Sequence, residues 1–201
     1  MSVAPLAPPP AVGPALQRLR AATWARHAVL DAAMPLSRPA PDAADYAAHL
    51  RLLRAWLQPL EAWLQAGPAP EGLAPVQRLP LIDADLRHPS LPQDPPAPMD
   101  DGAPWPEASE AYRWGVRYVV EGAQLGGWTL YRALQTRLAP HPLAYLAGGG
   151  SPQRVGARWQ AVLKALERAL PDEASQQAAC QGARDAFDRL IALNERCGSP
   201  A

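Results

Sequence analysis

His27 and Asp31 stand four residues apart in the run ALQRLRAATWARHAVLDAAM (15–34), one turn apart on one helical face. Leu16, Leu19, Thr23, His27, Leu30 and Met34 recur at spacings of three and four, so the histidine falls on the apolar stripe of that helix. Two readings are open. Such a histidine is a core residue with its ring nitrogens hydrogen-bonded, or it is a ligand to a metal or a haem iron, since neutral imidazole is the commonest metal-binding side chain. A ligating histidine usually donates its second N–H to an oriented acceptor, and Asp31 is placed to accept it. Asp31 would serve a packed histidine equally well.

A second pattern lies in YVVEGAQLGGWTLYRAL (118–134), which carries Gly122, Gly126 and Gly127 within six positions of a helical run. Each glycine inside a helix costs roughly 1 kcal/mol relative to alanine. Gly122 and Gly126 stack one turn apart, with Ala123 and Gly127 beside them, and make a bare patch. That patch serves either a close helix–helix crossing or a wall against which a flat ligand lies. A bare helix facing an inward histidine could sandwich a macrocycle, with iron on the histidine side and room for a small gas on the other.

The remaining chemistry is sparse. His49 flanks the stripe of the second helix and reads as packed or half-exposed, while His88 and His141 each precede a proline in loops. There is no His-x-x-x-His or Glu-x-x-His pair, no Gly-x-Ser-x-Gly and no phosphate loop. Gly148-Gly149-Gly150 follows no strand and reads as a flexible loop. Cys180 and Cys197 share no metal-ligand spacing and make no disulfide framework, which points to a reduced, cytoplasmic protein.

The elements that must position these residues are the stretches between prolines. Helices are expected over about 15–34, over 43–66 capped by Asp42 and kinked at Pro59, and over 152–170 and 172–196, split by Pro171. Short helical pieces broken by Pro75 and Pro80 occupy 71–88. A proline-rich loop spans 88–106, and the glycines sit in the long proline-free run 107–139. Ser151-Pro152 is a good helix start. No alternating strand pattern appears, so the fold class is all-α, a single-domain bundle of about six helices.

The 201 residues divide into a disordered Pro/Ala-rich tail (1–14), a helical domain (15–196) and a short tail (197–201). Lys+Arg and Asp+Glu both number 19, so no basic stripe suggests nucleic acid, and no window approaches the ~18 apolar residues of a membrane span.

Thr23-Trp24-Ala25-Arg26-His27 followed by Leu30-Asp31 resembles the proximal helix of haem oxygenases. Tyr118-Val119-Val120-Glu121-Gly122-Ala123-Gln124-Leu125-Gly126-Gly127 is similar to their distal helix, above all in the bacterial, biliverdin-producing branch. Leu81-Ile82-Asp83-Ala84-Asp85-Leu86 resembles a further signature of that branch. The likeness runs from about residue 15 to 195.

The resemblance implies a haem oxygenase-type bundle with haem between proximal and distal helices. It implies His27 as the iron ligand and Asp31 as its supporting carboxylate. Gly122, Ala123, Gly126 and Gly127 would form the catalytic distal wall, and Arg20 and Lys164 would pair with the haem propionates. The implied reaction opens haem, at once cofactor and substrate, to biliverdin, ferrous iron and carbon monoxide. It uses O2 and an external electron donor, a ferredoxin or other reductase, because the chain has no dinucleotide fingerprint and no iron–sulfur cysteines. A bacteriophytochrome is a conceivable biliverdin acceptor.

Two departures stand out. Ala123 replaces the aspartate or serine that family members place after the first distal glycine, and Arg87-His88-Pro89 replaces the usual Leu-Gly. They keep open a non-enzymatic haem carrier or sensor on the same fold. A thiaminase-like or quinone-cofactor helical enzyme and a purely structural bundle complete the alternatives.

Overall fold

Prolines and capping residues cut the chain much as its composition predicts. The computed structural model describes residues 13–93 and 104–198, and these hold six α-helices and no strand. They are α1 (Pro14–Ala33), α2 (Ala43–Gln65), α3 (Leu79–Leu86), α4 (Glu110–Leu134), α5 (Pro152–Ala169) and α6 (Glu173–Gly198), with a 3-10 turn at Pro35–Ser37. Most of the expected 1–14 tail, the centre of the 88–106 loop and the last three residues lie outside the described residues. Helix α6 runs to Gly198, past the expected end at 196. The helical pieces expected over 71–88 reduce to α3, because Pro80 sits in its first turn, where a missing N–H removes no hydrogen bond. Pro59 lies inside α2, which continues to Gln65.

Caps explain the starts. Asp42 accepts from the N–H groups of Ala44 (2.8 Å) and Asp45 (2.9 Å), and Asp45 accepts in return from the Asp42 N–H, closing a capping box. Ser109 and Ser151 cap α4 and α5. Helix α1 has no side-chain cap of its own. Glu167, on α5, accepts from the N–H groups of Leu16 (3.0 Å) and Ala15 (3.4 Å) instead.

Helix α6 is the spine. Both α1 and α4 pack along it and touch α5, yet they make little contact with each other. The α4–α6 crossing is close because Gly115 lies on the Ala179 carbonyl and Gly182 on that of Tyr112; a Cβ at either glycine would collide with backbone. Arg26 of α1 holds Asp188 of α6 through two hydrogen bonds, at 2.6 and 2.9 Å. Below, α2 buries Leu50, Leu57 and Leu60, and the Trp56 indole donates to the Ala186 carbonyl at 3.1 Å. No helix among the described residues is long and apolar enough to cross a membrane.

Candidate functional site

Because α1 and α4 share a spine with little contact between them, a cavity of about 670 Å³ opens between them, a size in the range of ligand pockets. Helix α1 lines it with Arg20, Thr23, His27, Leu30, Asp31 and Met34, and α4 lines it with Tyr118, Gly122, Ala123, Gly126 and Gly127. Helix α2 supplies a floor of His49, Leu53 and Trp56.

His27 lies on the apolar stripe, but the stripe faces the cavity there, and its side chain is 63% exposed. The packed-core reading therefore fails. Its Nδ1 lies 2.8 Å from Asp31 Oδ2, so Nε2 is the ring nitrogen left to take a ligand.

Opposite, a Cβ at Gly126 would meet nothing within 4 Å, and one at Gly122 only the edge of the Trp159 ring at 3.7 Å. No backbone comes within 4 Å of a Cβ at either glycine, and only the Trp159 ring of α5 reaches Gly122, so a close helix crossing among the described residues does not explain them. The crossing glycines of α4–α6 are Gly115 and Gly182. Gly127 differs from its neighbours: it is buried against Gln124 and Leu146, both 3.4 Å from an added Cβ. Ala123 is exposed and offers the cavity only a methyl group.

An ion network buried behind α4 holds this wall in place. Glu121, next to Gly122, pairs with Arg78 at 2.8 Å and Arg158 at 2.6 Å, and Arg78 also reaches Glu61 at 3.4 Å. Burial pushes the Glu121 carboxyl up, but hydrogen bonds from Arg158 and the Arg78 charge outweigh it and leave it below its ordinary value. Burial dominates at Glu61, whose pKa is raised.

An ordered loop forms the end wall. Asp85, fully buried, accepts hydrogen bonds from the Tyr46 hydroxyl (2.7 Å) and the N–H groups of Ala144 (3.0 Å) and Tyr145 (2.8 Å). His141 Nε2 donates to the Asp85 carbonyl at 3.1 Å while its Nδ1 accepts from the Leu143 N–H, which places Tyr145 and Leu146 at the cavity. Gly148 (φ 67°) and Gly149 (φ 62°) then turn the chain into α5, a conformation that favours glycine. The triple glycine is thus a hydrogen-bonded turn, with Gly148 and Gly149 donating to Tyr145 and Ala144 at 2.9 and 3.1 Å, and not the slack loop expected.

A protein of Xanthomonas campestris pv. campestris (strain 8004) named heme oxygenase is 36% identical over 141 residues, spanning 69% of this chain and 79% of that one. This chain belongs to the haem oxygenase family. A solved haem oxygenase, that of Neisseria meningitidis described as NO- and CO-bound, shares the fold with a TM-score of 0.65, at 23% identity and over 90% of each chain. No family model matches the sequence. The expected haem oxygenase character and the all-α fold both hold.

Within this haem oxygenase, one expected site residue falls elsewhere. Lys164 is exposed on α5 and does not line the cavity. Helix α5 presents Trp159 to the cavity, and five residues further on the helix has turned about 140° away from that direction. Tyr118, whose part the sequence did not show, stands at the cavity with Arg20. Burial raises its phenol pKa, against hydrogen bonding with Thr23 and the nearby Arg20 cation.

His49 is packed, one of the two states expected of it, and it also lines the cavity. It is 6% exposed, and its Nδ1 has no hydrogen-bond partner. Burial lowers its pKa to about 4, so the ring is neutral near pH 7. Leaving a buried polar atom unpaired costs about 1–3 kcal/mol. The sequence signal was a histidine at the edge of a leucine stripe, which the stripe alone could not distinguish from packing.

Proposed function

We propose that this chain opens haem oxidatively to biliverdin, releasing ferrous iron and carbon monoxide, in the cytoplasm and with electrons from a ferredoxin or other reductase. One observation carries this reading: an exposed, carboxylate-oriented histidine and a glycine face that no backbone approaches stand on opposite walls of one cavity. Membership of the family supports it.

Haem, when bound, supplies the iron at which O2 is activated against the ring itself. The protein's part is to hold and orient. His27 would hold the iron through Nε2, with Asp31 accepting from Nδ1–H to fix the tautomer and ring angle. Gly122 and Gly126 leave space against α4 that any larger side chain would fill. The haem carboxylates would lie toward exposed Arg20 and the half-buried Tyr118 hydroxyl, which would donate hydrogen bonds to them. Leu30, Leu53, Trp56 and Phe187 keep the ring among apolar groups. Ala123 cannot order water, so proton delivery falls to other groups of the cavity.

The test is direct. Haemin added to purified protein should give a Soret band. Under air with ascorbate or a ferredoxin system, that band should decay as a broad red biliverdin absorption grows. A stable Soret band without turnover would instead support the carrier reading that Ala123 favours, and no Soret band would reject both.

A further inference from the structure

The cavity has two unlike ends. Along α1 it runs from Arg20 to Met34, about 21 Å at 1.5 Å per residue, with His27 midway. Arg20 and Tyr118 give one end its charge and hydroxyl. The other end is made by Met34, Leu36 and Leu53, and there His49 stands. Arg38, just after the 3-10 turn, pairs at 2.8 Å with Asp45, one helical turn before His49, which ties the start of α2 to this end. Exposed Ser37 at the same end can satisfy itself with solvent; buried His49 cannot.

The unpartnered nitrogen bears on the tautomer. An orphaned lone pair is more readily tolerated than an orphaned N–H, which favours the proton on Nε2 over the buried, unpartnered Nδ1. His49 therefore offers one buried N–H donor beside the apolar side chains of Met34, Leu36 and Leu53. A haem seated with its carboxylates at Arg20 turns an edge of methyl, vinyl and C–H groups toward that donor. Cutting the ring on that edge replaces a meso C–H with two carbonyl oxygens. We propose that His49 is a product-recognition residue, whose N–H donates to a carbonyl oxygen at the cut edge of the open-chain tetrapyrrole. This rests on the proposed haem-opening activity.

The test compares haemin and biliverdin binding by wild type, His49→Phe, His49→Leu and His49→Gln, with affinity read from absorbance and tryptophan quenching. The apolar variants should lower the ratio of biliverdin to haemin affinity about three- to tenfold, the loss of one hydrogen bond, whatever shared change the altered floor brings to both ligands. Glutamine, which keeps a donor, should stay within about threefold of the wild-type ratio. An unchanged ratio in both apolar variants would overturn the assignment, whether both affinities are kept or both fall equally. A wild type that takes up no haemin would instead overturn the proposed function itself, before any variant is compared.

Discussion

Asp31 Oδ2 sits 2.8 Å from His27 Nδ1, on a face of α1 where both side chains remain open, 63% exposed for the histidine and 68% for the aspartate. The pair is therefore maintained by helical spacing and not by burial. An exposed pair of this kind adds only about 0.2–0.5 kcal/mol to stability.

Replacing His27 by alanine should leave the unfolding midpoint almost unchanged and abolish the ligand-dependent Soret spectrum. Asp31→Ala should retain a Soret band but weaken haemin affinity by roughly 10–100-fold, the usual effect of removing a ligand's supporting acceptor. Haemin titrations beside thermal melts check both. A large loss of stability in His27→Ala would return the histidine to a packing role.

The glycines of α4 should separate into two kinds. Gly126→Ala has open space for its methyl and should stabilise the free protein by up to about 1 kcal/mol through helix propensity. Gly126→Leu should fold and fail to take up haemin. Gly115→Ala forces a methyl into the Ala179 carbonyl and should destabilise by about 1–3 kcal/mol or more. Urea unfolding of the three variants distinguishes the two kinds.

Asp85→Ala should damage the end wall. It strands the Tyr46 hydroxyl and the N–H groups of Ala144 and Tyr145, each buried donor left unpaired costing about 1–3 kcal/mol. A total loss of roughly 3–5 kcal/mol and faster proteolysis near residues 140–150 are expected. An unaltered urea midpoint would show that the loop is held some other way.

Acid sensitivity should trace in part to His49. Its pKa is lowered from 6.5 in the free residue to about 4 by burial. The unfolded chain then binds the proton more readily between those values, so stability is full above pH 6.5 and falls as the pH drops toward 4. The drop attributable to this residue is on the order of 3 kcal/mol. His49→Phe should flatten the profile in that window, as measured by urea midpoints at several pH values.

Much of this was legible in one dimension. The stripe through His27, the Asp42 box, the Ser151-Pro152 start and the run 118–127 are features of neighbours three or four residues apart, and such neighbours interact whatever the rest of the chain does. The bundle class follows from them. The ambiguities were of another kind. A histidine on a stripe and glycines on a helix face are consistent with packing or with a cavity, because periodicity says which way a residue points and not what it meets.

What each residue meets was decided by contacts between distant parts of the chain. Gly115 and Gly182 let α4 settle on α6, Arg26 and Asp188 fasten α1 to the same spine, and Glu167 caps α1 from 151 residues away. Those contacts leave α1 and α4 facing each other across a gap, which turns His27 outward from the core and leaves Gly126 uncovered. They also rotate Lys164 off the cavity and bring His49 into its floor. The sequence by itself determined the helices, their class and the two candidate faces, since these depend on local spacing. Only the tertiary structure decided that the faces oppose one another, because that depends on where two helices dock on a third.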